Sequence, residues 1–187
     1  MRFVSNNRGQ SLLEAVFAIG LLLMVVTSIL GLVIANVVGQ SASELQLVAN
    51  NLAREGIEVV RNIRDSNWLA DLDWDSGLVG DGTAVPSFDI TDNIWTLNFT
   101  FNELTPVYRA GGVYNHDGSG EPTVYRRLIT LRNVCWEKTP GTETVAAGTT
   151  CTASTKIGLK VESQVSWFER GRDHSITLSS LLYAWKK

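Results

Sequence analysis

Histidine is scarce in this sequence, which has only His116 and His174 among its 187 residues, and each lies beside turn-forming residues. No CxxC, HExxH, GxSxG or GxGxxG pattern occurs, so the spacings typical of common zinc, hydrolase and nucleotide sites are missing. His174 follows Asp173, but this pair is more typical of the start of a strand than of a general base. We therefore predict no catalytic residue, metal site or cofactor, and we predict that the chain is not an enzyme.

An excess of basic charge is also missing. The chain carries 16 Lys and Arg residues against 19 Asp and Glu residues, for a formal net charge of -3. A broad basic face is therefore not expected, and we predict no direct binding to nucleic acid. A chain of this length fits one folded domain with an additional segment.

Acidic residues alternate at Asp71, Asp73 and Asp75, as they do at the start of a calcium loop. The glycine comes one position late, at Gly77, and the twelfth position is Gly82, where a bidentate glutamate would be needed. The sequence leaves calcium binding open here, with a solvated cluster of turns as the favoured interpretation.

An apolar block without ionisable residues runs from Ala15 to Gly39. As a helix it would be about 37 Å long, enough to cross a hydrocarbon core of about 30 Å, and it exceeds the apolar stretch of an ordinary signal peptide. Arg2 and Arg8 precede the block, whereas the next basic residue is Arg54. The positive-inside rule therefore predicts a cytoplasmic N-terminus and an external remainder.

A carboxylate at the start of this block is costly in lipid and calls for a partner. It lies in the run Arg8-Gly9-Gln10-Ser11-Leu12-Leu13-Glu14. This run resembles the class III signal peptide of type IV prepilins and pseudopilins. The resemblance implies cleavage between Gly9 and Gln10, N-methylation of Gln10, and pairing of Glu14 with the amino terminus of a neighbouring subunit during assembly.

The resemblance also implies the organisation of the chain: a leader at 1–9, a transmembrane and filament-core helix at 10–42, and a globular domain at 43–187. The expected function is that of a structural subunit of a type IV pilus, secretion pseudopilus or DNA-uptake filament. Its implied partners are other pilin subunits, a prepilin peptidase and the assembly platform of the inner membrane. The subunit would reside in that membrane before assembly and in a surface filament afterwards. The alternative is an uncleaved, single-pass, membrane-anchored binding domain outside the cytoplasm.

Small residues recur every four positions along the apolar block, at Thr27, Gly31, Ala35 and Gly39. This spacing places them on one stripe of a helix, where small side chains allow another helix to approach closely. We predict that the stripe packs against other helices.

Beyond the block, the helical period continues with polar residues on the opposite face. The apolar face is formed by Leu45, Val48, Leu52, Gly56, Val59 and Ile63. One helix is thus predicted from about residue 10 to 65, apolar in its first half and amphipathic in its second.

Strand-like patterns dominate the remainder, at 94–101, 123–137, 157–168 and 174–185. We therefore predict an α+β, pilin-like fold, in which the long helix packs on an antiparallel sheet whose short connections favour a meander. The segment 165–172, with the later run 178–180 and Trp185, resembles the C-terminal hairpin of minor pilins of the V type.

The chain has two cysteines, Cys135 and Cys151. In an exported domain such a pair is more often bridged than free. We predict a disulfide that closes a loop of about 15 residues and contributes roughly 3 kcal/mol.

Overall fold

A computed structural model describes residues 8–78, 82–146, 150–151 and 154–184, with side chains from residue 11 onward. The helix α1 comprises Arg8–Leu69, so it starts two residues before the predicted helix and ends four residues after it. The chain forms two compact units, one ending at Leu45 and one beginning at Gln46.

The unit that ends at Leu45 is a single helical segment. Its side chains from residue 11 to 37 are all exposed. The helix is long and apolar enough to cross a membrane, as the apolar block predicts. This segment therefore has no hydrophobic core of its own.

The other unit is built on eight strands. They are β1 (Gly82–Asp89), β2 (Ile94–Asn98), β3 (Thr105–Ala110), β4 (Val113–Asn115), β5 (Glu121–Glu137), β6 (Thr142–Val145), β7 (Thr155–Glu169) and β8 (Arg172–Tyr183). All strand pairs are antiparallel, which confirms the α+β fold class. The strand predicted at 94–101 ends earlier, at Asn98.

The sheet is organised around β5 and is not the simple meander that the short connections favoured. Residues 125–136 of β5 pair with β7, whose other neighbour is β8. Because a strand has only two edges, the remaining partners share the opposite edge, where β3, β1 and β6 follow one another along the strand. At 17 residues, β5 is long enough for three successive partners.

The core of this unit lies between the helical segment that starts at Gln46 and one face of the sheet. Ile57 and Val60 of the helix pack with Ile129 and Leu131 of β5 and with neighbouring residues of β7. Three residues of the predicted apolar face, Leu52, Gly56 and Val59, are buried. A Cβ added at Gly56 would lie 2.5 Å from Ser163 Oγ, so glycine lets the helix approach the sheet.

The expected bond between Cys135 and Cys151 is present, with the two Cα atoms 5.6 Å apart. Cys135 is buried in β5. The loop between the cysteines contains β6, which pairs with residues 134–137 of β5. The disulfide therefore closes a loop that itself forms part of the sheet.

Candidate functional site on the N-terminal helix

The residues of the predicted cleavage site lie at the beginning of α1. Gly9 and Gln10 are in its first turn, whereas the side chain of Gln10 and residues 1–7 of the predicted leader lie outside the described part. The segments 165–172 and 178–180, which resemble the C-terminal hairpin of minor pilins of the V type, lie in the described part, whereas Trp185 lies outside it. Cleavage and methylation stay predictions, because they concern chemistry that a folded chain does not display.

Glu14 lies four residues after Gln10, one helical turn along α1. Its side chain is exposed, and no described residue forms an ion pair or hydrogen bond with it. No other ionisable residue occurs between Glu14 and Glu44. The first part of α1 therefore carries one exposed carboxylate, followed by exposed apolar side chains.

The hydroxyl groups of the apolar segment are satisfied within the helix. Thr27 Oγ1 lies 3.0 Å from the carbonyl oxygens of Leu23 and Met24, and Ser28 Oγ donates to Met24 O at 2.8 Å. Ser43 Oγ donates to Gly39 O at 2.9 Å. Because these groups need no water, the segment suits lipid or the interior of a helix bundle.

The stripe of small residues is open. Thr27, Gly31, Ala35 and Gly39 are all exposed. A Cβ added at Gly31 or Gly39 would contact nothing within 4 Å, in contrast to Gly56. No packing against the described residues therefore explains these glycines, and in this part of the chain the stripe is open to another helix.

A buried arginine is the main polar feature that the sequence did not lead us to expect. Arg127, on β5, is fully buried beneath the helical segment of its unit. Its Nη1 donates to Leu52 O at 3.1 Å and lies 3.5 Å from Glu55 Oε1. The only sequence signal is a basic residue at an inward position between the core residues Tyr125 and Ile129.

His116 accepts a hydrogen bond from this arginine, with 3.2 Å between Arg127 Nε and His116 Nε2. Its Nδ1 lies 2.9 Å from Pro106 O. A neutral ring that is protonated on Nδ1 satisfies both contacts. Burial, together with the charge of Arg127, lowers the pKa of His116 from 6.5 to about 4. His116 is therefore a structural acceptor that stays neutral at pH 7.

The acidic loop after α1 brings no ligand set together. Asp75 forms an ion pair with Lys156 at 2.6 Å, and Asp71 has a positive φ of 58°. Within the described residues, no three His, Cys, Asp or Glu side chains are grouped as metal ligands.

A comparison of this chain with models of known families, with curated proteins and with solved structures found no match. The functional argument therefore depends on the chain itself. A long apolar N-terminal helix that continues into an antiparallel α+β unit is compatible with pilin-like architecture.

Proposed function

We propose that this chain is the precursor of a structural subunit, a minor pilin or pseudopilin, of a type IV filament. One observation carries the proposal. An exposed apolar helix segment bears a single carboxylate, Glu14, which pairs with no described residue. It lies four residues after Gln10, which the Gly9 motif would make the new amino terminus.

Apolar surface gives the first reason for assembly. Side chains are exposed continuously from residue 11 to 37. Keeping their apolar surface in water costs about 25 cal/mol of free energy for each Å². The segment therefore requires lipid or other apolar helices around it. A filament subunit uses both environments in turn, first the membrane and then a core of packed helices. The open stripe of small residues supports close packing in that core.

Charge gives the second reason. An amino group at residue 10 and the Glu14 carboxylate are each costly in an apolar environment. Within one helix both lie at the same end, whereas a neighbouring helix displaced along the filament axis can bring its amino group to this carboxylate. The attraction between two such charges is stronger in a medium of low dielectric constant than in water. Pairing between subunits would thus favour docking at a defined displacement.

The proposal assigns a location to each part of the chain. The disulfide supports exposure of the unit after Gln46 to an oxidising compartment outside the cytoplasm. The basic residues before Ala15 favour a cytoplasmic N-terminus in the inner membrane, where the peptidase and the assembly platform would act. After assembly, the subunit would lie in a filament at the cell surface.

The alternative function is an uncleaved membrane anchor that carries a binding domain outside the cytoplasm. The exposed apolar helix supports this function equally well. The alternative, however, gives no role to Glu14 or to the stripe of small residues. Processing of the N-terminus separates the two functions.

The decisive experiment is the intact mass of the protein extracted from membranes of its native cell. We expect a mass that lacks Met1–Gly9 and carries an added methyl group. Gly9→Leu should block processing, because the peptidase must accommodate this position next to the cut. Gly20→Leu is the matched control, since Gly20 is another helix glycine in open space and its replacement should leave processing unchanged. A wild-type chain that keeps its leader would contradict the filament function.

A further inference from the structure

The last strand, β8, forms an outer edge of the sheet. Its 12 residues pair with β7, and in the described part of the chain no strand pairs with its other side. Edge strands present rows of unpaired N–H and C=O groups, to which another extended chain can bind.

The backbone groups that face outward can be identified. Ala184 N–H donates to Ile157 O at 2.9 Å, which continues the register between β7 and β8. Hydrogen-bonded pairs alternate along an antiparallel ladder, so even-numbered residues of β8 bond to β7 and odd-numbered residues point away from it. The turn between β7 and β8 is consistent with this assignment. Arg170 and Gly171 both have positive φ, as in a two-residue hairpin turn closed by a hydrogen-bonded pair, which here is Glu169 and Arg172.

Charged groups limit the free edge at both ends. Arg64 of α1 donates from Nη1 to Tyr183 O at 3.4 Å, so this outward carbonyl is already used. At the other end lie the charged residues Arg172 and Asp173. Between these limits, four residues present free N–H and C=O groups outward: Ser175, Thr177, Ser179 and Leu181.

This free stretch lacks the features that usually protect an edge. From Ser175 to Ala184 the sequence contains no charged residue, proline or glycine. The register with β7 shifts nowhere along the strand, so no bulge twists the edge away. A partner at this edge would meet no charge that needs a counter-charge.

We propose that the edge of β8 between Ser175 and Leu181 binds an extended, uncharged strand of a neighbouring subunit, which would lengthen the sheet. This inference rests on the proposed function, because a filament supplies such neighbours. About seven residues, or roughly 23 Å of strand, would cover the free groups.

Side chains at the edge define the chemistry of this partner. Ile176 and Leu178 are half-buried on the side of the sheet that faces the helix, and Leu178 packs against the core. The opposite side carries the exposed hydroxyl groups of Thr177 and Ser179. The partner strand would therefore alternate apolar residues on the helix side with small or hydroxyl residues on the other.

Antiparallel pairing of β8 with the β8 of a second copy is not compatible with a filament. Such a pair would reverse the packed helix segment of one copy relative to the other. Subunits that enter a filament from one membrane share one polarity. The partner strand therefore does not come from an antiparallel β8.

Amide hydrogen exchange of the processed, full-length protein tests the inference. In detergent, the amides of Thr177 and Ser179 should exchange rapidly, while those of Leu178 and Ser180, which face β7, should be protected. In sheared filaments the two outward amides should exchange at least about tenfold more slowly. Equal rates in both samples would overturn the proposal. Protection in detergent that rises with protein concentration would assign the edge to self-association and would also overturn it.

Two variants test the same edge without disturbing the β7 ladder. Thr177→Lys adds a charge at the edge, and Thr177→Pro removes an outward N–H. Both should be processed normally and incorporated into filaments at least about tenfold less than wild type. The matched control is Gln164→Lys, which places the same charge beside position 177 on the inner strand and should be incorporated normally.

The outcomes separate this inference from the proposed function. Normal incorporation of both Thr177 variants would reject the edge contact while the filament function stands. If the wild-type protein occurs in no filament, the proposed function fails. The edge contact then fails with it, because the neighbouring strand would come from a subunit of the filament.

Discussion

The two parts of α1 use glycine in opposite ways. Gly31 lies in open space, and a Cβ added there would contact nothing within 4 Å. Gly56 lies against the sheet, and a Cβ there would come within 2.5 Å of Ser163 Oγ. Glycine at position 56 thus allows close packing within the chain, whereas at position 31 no contact with the described residues requires it.

Polar side chains differ between the same two segments. Thr27 and Ser28 donate to carbonyl oxygens of their own helix, so they make no demand on their surroundings. In the unit that begins at Gln46, Arg127 of β5 donates a hydrogen bond to Leu52 O and forms an ion pair with Glu55. The hydroxyl groups of the apolar segment are therefore satisfied by its own helix, whereas the packed segment makes polar contacts with the sheet.

The largest expected effect concerns the disulfide, which acts only on the packed unit. Reduction, or the double change Cys135→Ala and Cys151→Ala, should lower the free energy of unfolding by about 3 kcal/mol, because the unfolded chain regains the freedom of the closed loop. Thermal unfolding of the full chain in detergent, with and without reductant, measures the loss. Membrane insertion of the apolar segment should not change. Two thiols that alkylate freely in the native protein would contradict the prediction.

A smaller effect is expected from pH. The pKa of His116 is lowered to about 4 in the folded protein, so its neutral form is favoured there. The contribution of neutral His116 to the free energy of unfolding is complete above the pKa of the unfolded chain, near 6.5. This contribution is lost as the pH falls from about 6.5 to 4. We expect a loss of about 2 kcal/mol over this window, after allowing for partial exposure of the ring.

Urea unfolding at several pH values measures this loss. His116→Gln keeps a donor and an acceptor but does not titrate, so its stability should vary less over the same window. The charged groups that act on the ring are Arg127 and Asp117. An identical pH profile for the variant and the wild type would refute a role for His116.

A still smaller effect sharpens the contrast between the two glycines. Gly56→Ala should lower the free energy of unfolding by about 1 kcal/mol, because overpacking costs about 1–3 kcal/mol and helix propensity returns about 1 kcal/mol. Adding Ser163→Ala should recover most of the loss, since it removes the nearest atom. Gly31→Ala should leave the stability of the packed unit unchanged. Equal effects of the two alanines would invalidate the contrast.

The smallest effect on stability is expected at Glu14. Glu14→Ala should leave unfolding of the packed unit and cleavage after Gly9 unchanged, because no described residue pairs with this carboxylate. Incorporation into filaments should fall strongly, since the subunit would lose the attraction for a neighbouring amino group. Glu44→Ala provides the control, because it removes the carboxylate at the other end of the apolar segment. Sheared filaments quantified against membranes decide the question, and wild-type incorporation of Glu14→Ala would exclude it as the assembly contact.

Much of the fold was predictable because it depends on local periodicity. The uncharged block and the three-four spacing predicted α1 to within a few residues at each end. Richness in β-forming residues predicted β5, alternation predicted β7, and the turn at 169–173 predicted β8. The meander was wrong because periodicity indicates strands without indicating their neighbours. Pairing depends on long-range register, and β5 is long enough to accept β3, β1 and β6 along one edge.

The candidate site divides in the same way. The resemblance to prepilin signal peptides singled out Gly9, Gln10 and Glu14, and the four-residue spacing singled out the stripe from Thr27 to Gly39. The acceptor role of His116 did not follow, because His116, which comes directly after β4, meets Arg127 of β5 only when β3 pairs with both strands.

By itself the sequence determined that this protein has a membrane-length apolar helix with one carboxylate near its start, because charge and hydropathy are properties of each residue in order. Only the tertiary structure decided that Arg127 is buried beneath that helix's packed segment and that one edge of β8 pairs with no other described strand. Burial and strand order depend on which distant residues meet. Those meetings are set by the packing of the whole unit and not by any local pattern.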